Sequence, residues 1–182
     1  ARPGETVALV GRTGSGKTTL ARLLFGAYDG WRGRILLDGV PLEQLDDDSL
    51  HRAVGVVLQD VQLFPGDVRF NLTFGRPIDD ARIHEALQRT RATALVERLG
   101  GLDGRVEEGG RNLSGGEAQL LAFARVLLRN PALVVLDEAT ASVDSLTEAA
   151  LQAATAEVLA GRTTLVIAHR LSTITHADRI VL

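Results

Sequence analysis

The run Gly11-Arg12-Thr13-Gly14-Ser15-Gly16-Lys17-Thr18 constrains what this chain can fold into more than any other stretch of it. It fits G-x-x-x-x-G-K-[ST], the phosphate-binding P-loop. Ahead of it lies Thr6-Val7-Ala8-Leu9-Val10, a short apolar run of the kind that forms a buried parallel strand. Behind it lies Thr19-Leu20-Ala21-Arg22-Leu23-Leu24-Phe25, with apolar residues at helical spacing. A strand that turns through glycines into a helix presents backbone N–H groups and a partial positive charge to an anion. Lys17 can then reach the β- and γ-phosphates of a nucleotide, and the Thr18 hydroxyl can ligate Mg²⁺. Gly11, Arg12, Thr13, Gly14, Ser15, Gly16, Lys17, Thr18 and Thr19 are therefore the expected phosphate-binding set. The same glycines without those flanks would be an ordinary turn.

The remaining elements follow in order. Residues 33–40 read as a strand and a turn, with Asp38-Gly39 as the turn pair. Asp46-Asp47-Asp48 reads as a solvated loop that caps a short helix near residues 50–53, rather than as a metal site. Val54-Gly55-Val56-Val57-Leu58 is a second buried strand, which delivers Gln59 at its C-terminal end. Strand signals then stop until about residue 129, and 68–74, 80–90 and 93–99 read as helices. The run 114–129 is apolar nearly all round, so it predicts a buried helix that Pro131 terminates. Strands return at 132–136, 163–167 and 179–182, with a helix over 145–160 opened by Ser145 and Glu148 as a capping box. The expected fold class is α/β: a parallel-sheet core over 1–59 and 131–182, with an inserted α-helical subdomain over 60–130.

Composition narrows the function classes. The chain has 182 residues, a net charge of −3 and 45% hydrophobic residues, which is enough for a sizeable core and gives no bulk electrostatic case for nucleic acid. It lacks Cys, so disulfides and thiolate metal sites are excluded. No apolar run approaches the roughly 20 residues that a transmembrane helix needs. A chain without Met that begins Ala1-Arg2-Pro3-Gly4 and ends on the strand-like Arg179-Ile180-Val181-Leu182 reads as a piece of a longer protein.

Three further places carry chemistry. Leu133-Val134-Val135-Leu136-Asp137-Glu138 is an apolar strand running into two acids, and parallel strands bring their C-terminal ends to the P-loop edge. Asp137 is placed to hold Mg²⁺ through the Thr18 hydroxyl or water, and Glu138 to act as general base on the attacking water. His169, after Leu165-Val166-Ile167-Ala168, is placed to donate a hydrogen bond to the γ-phosphate, and Gln59 to ligate Mg²⁺ or water. Finally, Leu113-Ser114-Gly115-Gly116-Glu117 opens the long helix with a capping box and two bare glycine amides, a second anion site. One chain with two phosphate sites points to a nucleotide shared between two copies.

In this order and spacing the P-loop, Gln59, the 113–117 run, Asp137-Glu138, Ser142-Val143-Asp144 and His169 resemble the nucleotide-binding domain of the ATP-binding cassette family. The resemblance covers essentially the whole chain. It implies a P-loop NTPase (RecA-like) core, ATP and Mg²⁺ as cofactors, and a second nucleotide-binding domain as a homo- or heterodimer partner. It also implies a transmembrane domain upstream in the same parent chain, and a place at the cytoplasmic face of the inner membrane. In that family residues 113–117 form the signature, whose Ser114, Gly115, Gly116 and Glu117 meet the γ-phosphate held by the partner's P-loop. The 142–144 run resembles the D-loop, and Gln59 the Q-loop residue that couples to the membrane domain. Val106-Glu107-Glu108-Gly109-Gly110, Leu63-Phe64-Pro65-Gly66 and Ala168-His169-Arg170-Leu171-Ser172-Thr173 resemble exporters rather than importers. Glu117 departs from the usual Gln and adds negative charge near phosphate. Arg105 stands where a second acidic residue is common. The adenine-stacking aromatic belongs upstream of Ala1, and neither Tyr28 nor Trp31 replaces it. An ATP-hydrolysing motor domain for export is thus the first expectation. A non-transport cassette protein acting on nucleic acid or ribosomes is the runner-up, and a module that binds ATP without turnover the third. The acidic balance argues against the former, and Lys17, Asp137, Glu138 and His169 against the latter.

Overall fold

Five parallel strands form the sheet on which the P-loop is mounted. The computed structural model describes residues 1–12, 14–28, 30–137, 145–167 and 177–182. The strands are β1 (Thr6–Leu9), β4 (Val54–Val57), β7 (Leu133–Asp137), β8 (Thr163–Ile167) and β9 (Arg179–Val181), in the order β4-β7-β8-β1-β9. Their register sets Leu9 against Ile167 and Val181, and Asp137 against Ile167. Val7, Ala8, Leu9, Val134, Val135, Leu136, Val166 and Ile167 are all buried, as inner parallel strands require when both faces are covered. Helix α1 (Lys17–Leu24) packs on β7 and β8 through the fully buried Ala21. Leu42, Leu50 and Val54 join Leu9, Ala21, Val135 and Ile167 in one apolar cluster, and Trp31 packs against it.

Short elements complete this unit. Strands β2 (Leu36–Leu37) and β3 (Val40–Pro41) form a two-residue hairpin in which Asp38 and Gly39 have φ of 51° and 81°, the positive pair that a type I′ turn demands. Helix α2 (Asp47–Ala53) starts earlier than the sequence predicts. Asp46 alone is its cap, accepting from Ser49 N at 2.8 Å, while Asp47 and Asp48 lie in the first turn and favour its positive end.

The chain groups into two units by its contacts. One is drawn from the described residues of Ala1–Leu58, Pro131–Glu138 and Gly161–Leu182, the other from those of Gln59–Asn130 and Ala139–Ala160. The second unit is built on α6 (Gly115–Arg129), which packs on α3 (Val68–Thr73), α4 (Asp80–Arg89) and α7 (Ser145–Leu159). Leu120, Leu121, Phe123, Ala124, Val126 and Leu127 are all buried, which accounts for the nearly all-round apolar sequence. Asn130 ends α6 in the left-handed region at φ 48°, and Pro131 follows. α5 (Thr93–Leu99) completes the helices.

Two further features differ from the sequence expectation. Helix α7 groups with the helical unit, with Ala154 and Val158 fully buried, so 131–182 is not one continuous segment of the sheet unit. Strands β5 (Gly66–Asp67) and β6 (Arg105–Val106) form a two-residue antiparallel pair inside the otherwise helical unit, too short for any periodicity to reveal. The expected cap at Ser145 depends on a side chain outside the description.

One polar network is set inside this helical unit. Arg125 projects from α6, donating through Nε to the Asn71 carbonyl, through Nη1 to the Gln62 carbonyl (2.7 Å) and through Nη2 to Asn71 Oδ1 (3.0 Å). Its guanidinium also lies 4.9 Å from the Phe74 ring centroid. Burial pulls the Arg125 pKa down to about 10. Asn71 is fully buried and also binds Phe64 N, Phe64 O and Asp67 O. Asn71→Ala should therefore destabilise the chain by about 1–3 kcal/mol for each buried polar group left unpaired. Urea unfolding of the purified chain checks this, and a loss below 0.5 kcal/mol, the level of a neutral surface substitution, would contradict it.

Candidate functional site

The P-loop assembles within the sheet unit. Gly14 and Gly16 take φ of 82° and 94°, which only glycine adopts without strain. A Cβ at Gly11 would lie 2.9 Å from Ser15 Oγ, so that hydroxyl would have to turn aside. Helix α1 begins at Lys17 with Gly16 as N-cap and no side-chain cap, so its first amides keep free capacity for an anion. The Lys17 ammonium donates to Gly11 O (2.8 Å), Arg12 O (2.9 Å) and Ser15 Oγ (3.3 Å), using all three of its protons on the loop itself. It is thereby held at the mouth of the loop.

Behind the loop, Thr18 Oγ1 donates to Asp137 Oδ2 at 3.3 Å. Asp137 is 5% exposed at the C-terminal end of β7, so the strand carries a carboxylate into an apolar sheet with a hydroxyl as its partner. A hydroxyl beside a carboxylate is an oxygen donor pair suited to a hard cation such as Mg²⁺. An uncapped helix start, open space around Gly14 and an ammonium held on the loop suit a polyphosphate. The donor chemistry thus fits both groups. Tyr28, expected not to serve the base, accepts a weak hydrogen bond from Arg22 Nη1 at 3.4 Å.

The 114–117 turn, expected from the sequence to be a second anion site, assembles within the helical unit. Ser114 Oγ accepts from Glu117 N (3.2 Å) and Glu117 Oε2 accepts from Ser114 N (2.8 Å), the reciprocal capping box expected from the sequence. A Cβ on Gly115 would meet nothing within 4 Å, so that turn is open. The other carboxylate oxygen, Glu117 Oε1, accepts from Arg98 Nη2 at 2.6 Å. Partial burial pushes the Glu117 carboxyl up, but the Ser114 N–H and the Arg98 guanidinium together outweigh it and hold it below its ordinary value. Asn112 braces the approach to this turn, accepting from Glu107 N (3.0 Å) and donating to Arg105 O (2.9 Å). An open cleft of about 750 Å³ is lined in part by Asp67, Arg105, Glu107 and Glu108.

The structure therefore joins Lys17 to Gly11, Arg12 and Ser15, Thr18 to Asp137, and Ser114 to Glu117. Gln59 lies exposed in a bend beyond β4. Thr13, Glu138, Ser142, Val143, Asp144 and His169 lie outside the described residues. Arg98 and Arg125 were not anticipated. A lone Arg within the apolar α6 run is a readable signal for the latter; nothing in the sequence pairs Arg98 with a residue nineteen positions on.

With this geometry in view, the chain belongs to the ABC transporter family, whose model matches residues 1–141. It is 47% identical over its whole length to a β-(1→2)glucan export ATP-binding/permease protein of Bradyrhizobium diazoefficiens, of which it spans 30%. It is 48% identical over 99% of its length to an ATP-dependent lipid A-core flippase of Chromobacterium violaceum, of which it spans 31%. A solved bacterial Atm1-family ABC exporter with ATP bound is 42% identical, with a TM-score of 0.87 over 98% of this chain and 32% of that one. The chain thus corresponds to a nucleotide-binding domain and spans about three-tenths of these proteins. Among the described residues, no helix is long and apolar enough to cross a membrane.

The geometry of the cap gives a pH test. A carboxyl held below its ordinary pKa supports the cap at neutral pH and releases it as pH falls through the lowered value. The Ser114 amide chemical shift should titrate in acid with a midpoint below that of an ordinary Glu, and the titration should vanish in Glu117→Gln. A shift that titrates identically in both proteins would contradict the assignment.

Proposed function

We propose that this chain is the ATP-hydrolysing motor domain of a membrane exporter. The observation that carries the reading is the P-loop with an uncapped α1, a poised Lys17 and the Thr18–Asp137 pair behind it. The export and flippase names of its relatives support the transport half. In this reading Lys17 and the amides of residues 11–19 hold the ATP phosphates. Thr18, Asp137 and Gln59 hold Mg²⁺, which when bound offsets phosphate charge. Glu138 takes a proton from the attacking water and His169 donates to the γ-phosphate. Ser114, Gly115, Gly116 and Glu117 meet the phosphate bound by a second copy, in a homo- or heterodimer. A transmembrane domain in the parent chain anchors the motor at the cytoplasmic face and selects what is exported.

Glu138→Gln in the parent protein should leave ATP binding intact and slow hydrolysis by about 10²–10⁴-fold, because the carboxamide keeps the shape but takes no proton. Phosphate release and nucleotide binding, measured together, check this. Retention of most of the activity would remove Glu138 as the base.

A further inference from the structure

Glu117 poses an electrostatic problem for any phosphate at the start of α6. Its carboxylate closes the cap through Oε2 and Ser114 N, yet it brings a full negative charge to a turn whose helix dipole favours anions. Its remaining oxygen is met by Arg98 Nη2 at 2.6 Å, from the last turn of α5. The two side chains are 51% and 26% exposed, so the pair adds little to stability. Its main consequence is the local charge. With Arg98 in place, Glu117 and Arg98 sum to zero beside the turn; without it, the turn carries an unbalanced carboxylate.

We propose that Arg98 is a positioning residue for the nucleotide site: its guanidinium holds Glu117 in the cap of α6 and neutralises that carboxylate, so that the turn stays receptive to phosphate. This rests on the reading that the 114–117 turn receives nucleotide phosphate. Glu at position 117 is tolerated because Arg98 accompanies it. A Gln at 117 could still accept from Ser114 N but would need no cation beside it. The arrangement therefore links one residue of α5 to nucleotide affinity without contact between Arg98 and nucleotide.

The test uses the full-length parent chain in lipid vesicles. The ATP concentration for half-maximal hydrolysis is measured for Arg98→Gln, Arg98→Lys, Glu117→Gln and the Arg98→Gln/Glu117→Gln double variant. Each is assayed at about 50 mM and about 500 mM salt, where the Debye length shortens severalfold. Arg98→Gln should raise that concentration about three- to tenfold at low salt and lose most of the rise at high salt. Arg98→Lys should stay within about twofold of the wild type because charge is kept, and the double variant should match Glu117→Gln alone at both salt concentrations, because no carboxylate remains for Arg98 to balance. A merely structural contact would add the Arg98→Gln impairment to that of Glu117→Gln at both salt concentrations. That outcome, or an Arg98→Gln variant with wild-type behaviour, overturns the proposal. Ser114→Arg in the same membranes separates the two possible failures. If it abolishes hydrolysis while Arg98→Gln is silent, only the Arg98 assignment falls; if it hydrolyses ATP like the wild type, the phosphate reading of the turn falls as well.

Discussion

The hydrogen bonds from the Lys17 ammonium to Gly11 O and Arg12 O are the contact on which the sheet unit's chemistry depends. They exist because β1 must end and α1 must begin within a few residues, and glycines at 14 and 16 let the chain turn back with positive φ. The buried sheet behind the loop gives it a rigid base. Asp137 arrives from β7, two strands from β1 across β8, and still reaches Thr18 because all the strands run parallel and end at one edge. A point charge on a flexible stem, a hydroxyl and a carboxylate are thus pre-set for polyphosphate and a hard cation.

The helical unit solves a different problem. Its long helix, α6, is apolar almost everywhere and would be satisfied by burial alone, yet it carries Arg125 inward to three acceptors on residues 62 and 71. Burial of a guanidinium without a carboxylate is costly, as its lowered pKa of about 10 records. Carbonyls, an amide oxygen and a ring face offset that cost. The network fixes the 62–71 segment against the helix that also presents Ser114 and Glu117. At the helix start, Glu117 divides its two oxygens between the cap and Arg98, so cap geometry and local charge are set by one side chain.

Much of this is legible in the sequence, for physical reasons. Buried parallel strands read as unbroken apolar runs, which is why β1, β4, β7 and β8 fall where expected. Capping chemistry is local, so Ser114 with Glu117 fixes the start of α6 within one residue. What depends on distant contacts is not legible. The β5–β6 pair has two residues per strand and no pattern, and the grouping of α7 with α6 follows from packing rather than from chain order. The Arg98–Glu117 pair is invisible for the same reason: Glu117 reads as a local cap, and Arg98 alone reads as a solvated surface charge. In the P-loop, residue types and spacing single out Lys17, Thr18 and Asp137, and the structure holds Lys17 on the loop and sets Thr18 beside Asp137.

In the proposed shared site a nucleotide lies between the 11–18 loop of one copy and the 114–117 turn of another. Its most direct test is complementation in mixed dimers of the parent protein. One chain carries Lys17→Ala, the other Ser114→Arg, and both carry Glu138→Gln to trap nucleotide. Each homodimer has two broken sites. The mixed dimer has one doubly broken site and one built from an intact loop and an intact turn. If the site is shared, verified mixed dimers should retain one trapped ATP each while both homodimers retain none. If the site lies within one chain, every site in the mixture carries a lesion. Mixed dimers without trapped ATP would contradict the shared site.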